Sequence, residues 1–285
     1  MVSRPLVVKL GGELLEESTS LANCVVAIKT IAANGPVVVV HGGGKEIDAA
    51  LKAAGIEKRQ VDGLRVTDAA TLDVVVSVLA GAVNTRFVAA LNTAGVPAVG
   101  LTGADASCGL AATAPPHQAV DGRVVDLGRV GVPESGADMK LLQTLTGERF
   151  VPVIASIGLG RDGRLLNVNA DTFAGHLAAR LNARRLVIAG TTPGVLDGAG
   201  ATIPALGSDG VARLVNDGTA TAGMIAKLRA CEQALAAGVD DVVIVDGRKA
   251  ETLAAAAVSN APASATRLAV NDTRSAGLQA CPGQP

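Results

Sequence analysis

Two stretches of the sequence place glycines next to a basic or polar residue at the end of a predicted strand. Lys9 is followed by Gly11 and Gly12, and four valines lead into His41 and the glycines 42–44. Glycines at such a turn bring bare backbone N–H groups close to a ligand, and a helix start adds partial positive charge. Both stretches therefore predict a site for an anion, either phosphate or carboxylate, although a strand-to-helix turn that binds nothing has the same pattern.

Three further positions carry charged side chains near predicted helix starts. Arg65 stands just before a predicted N-cap and has the planar fork that binds a carboxylate bidentately, although a solvated arginine fits equally well. Asp171 follows two asparagines at a helix start, where helix capping is the simpler interpretation. Lys227 is predicted in the first turn of a helix, where the helix dipole opposes a positive charge, so a plain surface role explains it less well.

The composition excludes several classes of protein. The 285 residues are 49% hydrophobic and 18% charged, with a net charge of -1, so no basic field attracts nucleic acid or membranes. With no Trp, no Tyr and three Phe, aromatic platforms for single-stranded nucleic acid are excluded. The four cysteines lack the spacing of a zinc site or a disulfide framework. Because no signal peptide or membrane span is evident, we expect a cytoplasmic protein.

Short β-branched runs alternate with helical patterns, which predicts an α/β fold: a three-layer sandwich around a mostly parallel central sheet. The predicted strands are Leu6–Leu10, Val37–Val40, Val96–Leu101, Phe150–Ala155, Arg185–Ala189 and Asp241–Asp246. The predicted helices are Ser18–Ala33, Lys45–Ala54, Ala69 to about Ala94, Asp138–Leu145, Asp171 to about Leu181, Ser208–Val215 and about Ile225 to Ala236.

The long helix from Ala69 to about Ala94 has a strong apolar face and few polar residues on its other sides. We therefore expect a partner subunit to cover part of it, which gives a homodimer. The tail from Asn271 to Pro285 is rich in polar residues and glycine, and we expect it to be frayed.

Five motifs follow one another along the chain: KLGG at Lys9–Gly12, HGGG at His41–Gly44, GLRVT at Gly63–Thr67, NVNAD at Asn167–Asp171 and GMIAK at Gly223–Lys227. Each motif is weak alone, but the ordered set is specific. Their order and spacing resemble the amino acid kinase family over roughly residues 4–270. The resemblance is to its members that phosphorylate N-acetyl-L-glutamate.

This resemblance implies a kinase that uses ATP with Mg²⁺ to convert the side-chain carboxylate of N-acetyl-L-glutamate to an acyl phosphate in arginine biosynthesis. It implies that residues 1–180 form an N-terminal lobe for acid binding and dimerisation, and residues 181–285 a C-terminal lobe for the nucleotide. Such a carboxylate is already ionised at neutral pH, so catalysis has to come from positioning and charge neutralisation.

The resemblance also assigns residues by role. Lys9 and Lys227 match lysines that stabilise the transition state, and Asp171 matches the aspartate that orients them. The positions that match acid-binding residues are Gly43, Gly44, Arg65 and Asn167. The positions that match nucleotide-binding residues are Gly11, Gly12, Thr191, Thr192, Pro193, Gly194, Val195, Leu196, Thr219, Ala220 and Thr221.

The sequence departs from the family at two positions. Thr191 stands where an aspartate is common, and Ala222 stands where an acidic residue is frequent, so nucleotide contacts are expected to differ in detail. No long helix precedes Lys9 in this sequence, and in the family such a helix accompanies arginine-inhibited hexamers. We therefore expect an arginine-insensitive homodimer.

Two alternative functions remain open at this point. One is a sister kinase for another N-blocked acid, such as carrier-protein-linked aminoadipate or N-succinylglutamate. The other is a non-catalytic small-molecule sensor on the same fold, which has no need of Lys9, Lys227 and Asp171. A dinucleotide-binding dehydrogenase is disfavoured because neither glycine stretch has the G-x-G-x-x-G spacing.

Overall fold

A computed structural model describes residues 4–217, 222–258 and 261–268. In these residues the strands are β1 (Leu6–Leu10), β2 (Val37–His41), β3 (Gln60–Val61), β4 (Leu64–Arg65), β5 (Ala98–Thr102), β6 (Ala111–Thr113), β7 (His117–Gln118), β8 (Val124–Val125), β9 (Val130–Pro133), β10 (Val151–Ala155), β11 (Ile157–Leu159), β12 (Leu165–Val168), β13 (Arg185–Gly190), β14 (Ala205–Leu206), β15 (Val242–Asp246) and β16 (Ala265–Leu268).

The helices of the same residues are α1 (Glu13–Glu16), α2 (Ser18–Ala33), α3 (Gly44–Ala53), α4 (Ala69–Val76), α5 (Asn84–Thr93), α6 (Lys140–Gly147), α7 (Ala170–Arg180), α8 (Ser208–Asn216), α9 (Ala222–Ala236) and α10 (Ala250–Val258). A π-helical segment, Ser77–Val83, joins α4 to α5 without a break. A single 3₁₀ turn, Asp105–Ser107, follows β5.

Among the described residues the central sheet has eight strands in the order β14-β16-β15-β13-β1-β2-β10-β5. The pairs from β15 to β5 are parallel, whereas β16 pairs with β15 in the antiparallel sense. A smaller sheet, β11-β12-β9-β6, and the two hairpins β3–β4 and β7–β8 lie outside it. The predicted mostly parallel sheet is confirmed.

Two apolar cores lie on opposite faces of the sheet because alternate strand residues point to opposite sides. Val39 belongs to the core formed with α1–α5 and α10, whereas Val40 belongs to the core formed with α6–α9. Both valines are fully buried. This double burial explains why the strands are near-continuous β-branched runs, and it confirms the predicted three-layer sandwich.

The predicted strands differ from the observed ones by at most two residues at either end, as at β5, which begins at Ala98 rather than at Val96. The predicted long helix is confirmed as Ala69–Thr93, and it contains a π-helical segment that a stretch of Val, Ala and Gly does not reveal. One local prediction is wrong: Lys227 is not in a first turn, because α9 already includes Ala222. The predicted frayed tail lies outside the described residues.

By length and composition, one helix of the described residues, Ala69–Thr93, would be long and apolar enough to cross a membrane. One side of this helix is packed into the core, including Val75, Phe87 and Leu91, which are fully buried. This burial is typical of a helix that packs on one face of the central sheet.

The carboxyl ends of four neighbouring strands meet at one edge of the central sheet. Leu10 of β1 lies opposite His41 of β2 and Ala189 of β13, and Gly190 lies opposite Asp246 of β15. In the sheet, β1 lies between β2, which follows it in sequence, and β13, which comes much later, so the strand order changes direction at β1. Ligands of open α/β sheets bind at such a switch point, outside the carboxyl ends of the strands.

Candidate active site

Two lysines share one carboxylate at this edge. Lys9 Nζ lies 2.9 Å from Asp171 Oδ1, and Lys227 Nζ lies 3.5 Å from Asp171 Oδ2. The three side chains are only 9%, 15% and 12% exposed for Lys9, Lys227 and Asp171 respectively. They come from β1, α9 and α7, so the sheet and both helices have to be assembled before the cluster exists.

Electrostatics keep the shared carboxylate ionised. Burial would raise the pKa of Asp171, but the two ammonium groups outweigh that effect and hold its pKa below the usual value. The pKa of Lys227 is lowered, first by burial and then by the charge of Lys9, while Asp171 opposes both. Lys9 and Lys227 therefore each face a different oxygen of the same carboxylate.

The two glycine turns touch each other beside this cluster. A Cβ on Gly12 would lie 2.5 Å from the Cα and 2.8 Å from the N of Gly43, so only glycine permits the approach. A Cβ on Gly42 would lie 3.5 Å from that of Ala170, the first residue of α7. The turns after β1 and β2 and the start of α7 therefore converge on one point.

The start of α7 is fixed by a cap next to Asp171. The side chain of Asn169 accepts hydrogen bonds from the backbone N–H groups of Asp171 and Thr172, at 3.0 Å and 3.1 Å. The capping interpretation is thus correct for Asn169 but not for Asp171, whose carboxylate faces the lysines. A capped first turn holds Asp171 in place against β1.

Arg65 is not a surface residue: its side chain is 8% exposed, and it pairs with Asp48 on α3. Its Nη2 also donates to the Gly44 carbonyl at 3.4 Å, which places it directly behind the second glycine turn. Its Nη1 is buried and has no hydrogen-bond partner among the described residues. A buried donor without a partner is costly, so this atom is suited to an anionic ligand.

Asn167 joins Arg65 through one intermediary. Its Nδ2 donates to Thr67 Oγ1 at 3.1 Å, and that hydroxyl donates to the Arg65 carbonyl at 3.0 Å. Asn167 is the last residue but one of β12, and α7 begins three residues after it, at Ala170. The structure therefore brings Gly44, Arg65 and Asn167 into one hydrogen-bonded group.

Part of the loop after β13 is held against β16. Gly194 has a positive φ of 73° and packs on Thr266 of β16, whose hydroxyl accepts the Val195 N–H at 2.7 Å. Thr191 and Thr192 are exposed at the sheet edge, and Pro193 and Leu196 are half-buried. The backbone donors of Gly194 and Val195 are already used, which leaves the two threonines as the accessible polar groups. Thr219, Ala220 and Thr221 lie outside the described residues.

Sequence reasoning missed several contributors to this site. Asp48 anchors Arg65, and its pKa stays low because Lys58 and Arg65 outweigh the effect of burial. Glu13 approaches the first glycine turn, where a Cβ on Gly11 would lie 2.5 Å from its Oε1. Glu13 is the first residue of α1 and Asp48 is the fifth residue of α3, each in a helix that follows a glycine turn, but nothing else in the sequence distinguishes them.

A profile of the amino acid kinase family matches residues 4–246 of this chain. The chain belongs to the amino acid kinase family, and it is a kinase, that is, a phosphotransferase. Among its relatives, a protein of Bradyrhizobium diazoefficiens named acetylglutamate kinase is 43% identical over 251 residues, which are 85% of this chain and 84% of that protein.

Solved structures agree in fold. N-acetylglutamate synthase from Neisseria gonorrhoeae, complexed with coenzyme A and N-acetyl-glutamate, has a TM-score of 0.78 at 25% identity over 94% of this chain. This chain spans only 60% of that protein. Carbamate kinase from Giardia lamblia bound to AMP-PNP has a TM-score of 0.68 at 16% identity, over 94% of this chain and 99% of that one, which supports the fold alone.

The contact between the glycine turns gives a direct prediction. Gly12→Ala puts a methyl group against the backbone of Gly43, which cannot move aside as a side chain does. We expect kcat/KM for phosphoryl transfer to fall about tenfold to a hundredfold, because the turns must separate. Steady-state kinetics checks this.

Gly147→Ala, at the end of α6, is the matched control, because its new Cβ would meet no atom of the described residues within 4 Å. Its activity should stay at the wild-type value, and its melting temperature should not fall, because alanine is the better helix former. Equal activity of the Gly12→Ala variant and the control would show that the close approach of the turns is dispensable.

Proposed function

We propose that this chain is an acetylglutamate kinase, which transfers the terminal phosphoryl group of ATP to the side-chain carboxylate of N-acetyl-L-glutamate in arginine biosynthesis. The observation that carries the proposal is the pair of buried ammonium groups on one carboxylate beside two touching glycine turns. The relatives that are 42–43% identical and named acetylglutamate kinase support the choice of substrate.

The chemistry needs what this cluster offers. A carboxylate that attacks a phosphoryl group is an anion approaching an anion, so the barrier is dominated by charge and alignment. One ammonium group about 4 Å from a phosphoryl oxygen contributes roughly 4 kcal/mol at an effective dielectric constant of about 20, before desolvation. We assign Lys9 and Lys227 to stabilising the transition state, and Asp171 to holding the two like charges together.

The acid and the nucleotide are assigned to opposite sides of this cluster. Gly43, Gly44, Arg65 and Asn167 are proposed to bind the acid, supported by Arg65 Nη1, which has no hydrogen-bond partner in the part of the chain that the structure describes. Gly11, Gly12 and the loop 191–196 are proposed to bind the nucleotide. We propose lobes of residues 1–180 and 181–285, supported by the order of the described strands in the sheet. β13, β14, β15 and β16 lie on one side of β1, and β2, β5 and β10 lie on the other.

We propose that Mg²⁺ arrives with ATP. No group of three His, Cys, Asp or Glu side chains that could hold a metal occurs among the described residues, so we assign no protein cage. This suits Mg²⁺, which usually binds through substrate phosphates, its own waters and one or two carboxylates. Bound in this way, the ion would neutralise phosphate charge.

We further propose a cytoplasmic homodimer formed through the helix Ala69–Thr93. The support is that Val74, Val76 and Val88, which pack at the margins of its buried side, remain half-buried in the single chain. The edge strand β5 lies next to this helix and has no further strand beyond it among the described residues. A second copy would cover both features.

The substrate is tested with the purified protein and a panel of acids in a coupled assay for ADP release. The panel contains N-acetyl-L-glutamate, N-acetyl-L-aspartate, N-succinyl-L-glutamate and an N-blocked aminoadipate, each with and without arginine. We expect the highest kcat/KM for N-acetyl-L-glutamate, and an acyl phosphate product that hydroxylamine traps as a hydroxamate. Preference for another acid would make the chain a sister kinase, and binding without ADP release would make it a sensor.

The same assay tests the two lysines. Lys9→Ala and Lys227→Ala should each lower kcat at least about a hundredfold while the KM for ATP changes less than about threefold, because the lost charge acts on the transition state. The exposed Lys29→Ala is the control and should be unaffected. Near-normal turnover of either site variant would remove that lysine from the catalytic set.

Arg65 tests the acid site separately. Arg65→Ala removes a charge-assisted contact of about 1.5–3 kcal/mol, so the KM for the acid should rise roughly tenfold to a hundredfold, with a smaller loss in kcat. Arg65→Lys should recover only part of this, since a lysine has no planar fork. Arg123→Ala, which breaks an exposed pair with Asp121, is the control. An unchanged KM for the acid in Arg65→Ala would place Arg65 outside the acid site.

A further inference from the structure

A buried polar pair lies behind the second glycine turn, on the face of the sheet opposite Lys9. His41 is 0% exposed and Asn84, the first residue of α5, is 4% exposed. Asn84 Nδ2 lies 3.0 Å from His41 Nε2 and 2.9 Å from the Val153 carbonyl. His41 Nδ1 lies 3.1 Å from the carbonyl oxygen of Gly42. Buried polar groups are costly unless they are hydrogen-bonded, and here both ring nitrogens of His41 and the amide nitrogen of Asn84 have partners.

The partners at both ends define the tautomer of His41. The Val153 carbonyl only accepts, so the amide of Asn84 has to turn its NH₂ group towards it, and the other N–H of that group meets His41 Nε2. Nε2 therefore accepts, and the proton is on Nδ1. The Gly42 carbonyl also only accepts, which requires the same proton on Nδ1. Burial lowers the pKa of His41 to about 4, so the ring is neutral near pH 7.

The bond from His41 fixes the direction of one peptide group in the glycine turn. The described chain contains no cis peptide bonds, so the N–H of Gly43 points opposite to the C=O of Gly42. Because the carbonyl points at His41, the Gly43 N–H points away from that layer, towards the layer that contains Lys9. Among the described residues no acceptor takes this N–H, and its nitrogen lies 2.8 Å from where a Cβ of Gly12 would be.

The π-helical segment Ser77–Val83 determines the side of the helix on which the side chain of Asn84 lies. An α-helix advances about 100° per residue, and a π turn accommodates about one residue more per turn, so it shifts every later side chain around the axis by roughly that angle. With this shift, Leu79 and Val83 lie against Gly43, where a Cβ would be 2.8 Å from Leu79 Cδ2 and 3.4 Å from Val83 Cγ2. The next residue is Asn84, which meets His41.

We propose that Asn84 and His41 are positioning residues that orient the peptide between Gly42 and Gly43, so that the Gly43 N–H faces the anion site beside Lys9. Asn84 holds the proton of His41 on Nδ1, and Nδ1–H holds the Gly42 carbonyl. A glycine turn would otherwise rotate this peptide freely, because glycine has no Cβ to restrict it. That the anion is a transferring phosphoryl group or the acid rests on the proposed function.

Two substitutions at His41 separate orientation from packing. The amide nitrogen of Asn lies about as far from the backbone as Nδ1 of His, and that of Gln about as far as Nε2. His41→Asn therefore keeps a donor for the Gly42 carbonyl, whereas His41→Gln keeps the larger volume but loses that donor. If His41 acts only by filling space, the His41→Gln variant should be the more active one. If His41 acts by orienting the Gly42 carbonyl, the His41→Asn variant should be the more active one.

We expect His41→Gln to lower kcat about tenfold to a hundredfold with little change in the KM for ATP, as for a misplaced oxyanion donor, and His41→Asn to stay within about threefold of wild type. His117→Gln is the control, because His117 lies on β7 and pairs with Asp62. The reverse order of the two His41 variants, or equal activity in both, would overturn the proposal.

The tautomer is measured independently in the wild-type protein by ¹⁵N NMR of labelled histidines. His41 is assigned from the signal that is lost in the His41→Asn variant. We expect its proton on Nδ1 at pH 7, whatever acid the enzyme phosphorylates. A proton on Nε2 would overturn the proposal even if a His41 variant failed to fold. Absence of kinase activity in the wild type, with the proton on Nδ1, would instead count against the proposed function alone.

Discussion

The site depends on one carboxylate between two ammonium groups. Two like charges about 4 Å apart repel by roughly 4 kcal/mol at an effective dielectric constant of about 20, and burial adds a desolvation cost for each. Asp171 opposes both effects for Lys9 and Lys227 and leaves a net positive charge at the edge of the sheet. The arrangement therefore presents two ammonium groups at one place with a net charge of +1, and it exists only when β1, α7 and α9 are packed together.

The rest of the fold positions the loops that surround this charged cluster. The carboxyl ends of β1, β2 and β13 are in register, so the loops that follow them face one space. Gly12 and Gly43 let two of these loops touch, and the cap at Asn169 sets the start of α7. Positioning of this kind suits phosphoryl transfer, in which proteins contribute alignment and electrostatics more than proton transfer.

Much of this could be predicted from the sequence, for physical reasons that differ between elements. Strands that are buried on both faces have to be apolar throughout. The four consecutive valines of Val37–Val40 therefore indicate a central strand of a parallel sheet. Lys9 and the glycines after it were identifiable because a basic residue and bare backbone at a strand end have few structural roles. Arg65 was ambiguous, since nothing local reveals that Asp48 and the Gly44 carbonyl enclose it. Neither the pairing of His41 with Asn84 nor the π-helical segment that aligns them was predicted, because contacts between distant residues and small changes in helical pitch leave no local pattern.

The most direct test of the central role of Asp171 is the pH dependence of kcat in the Asp171→Asn variant. In the wild type, the carboxylate opposes the burial and the Lys9 charge that lower the pKa of Lys227. Its removal should lower that pKa further, so the fall of kcat on the alkaline side should begin at lower pH, and the maximal kcat should itself be reduced. An alkaline limb at the wild-type position, with kcat nearly unchanged, would contradict the account.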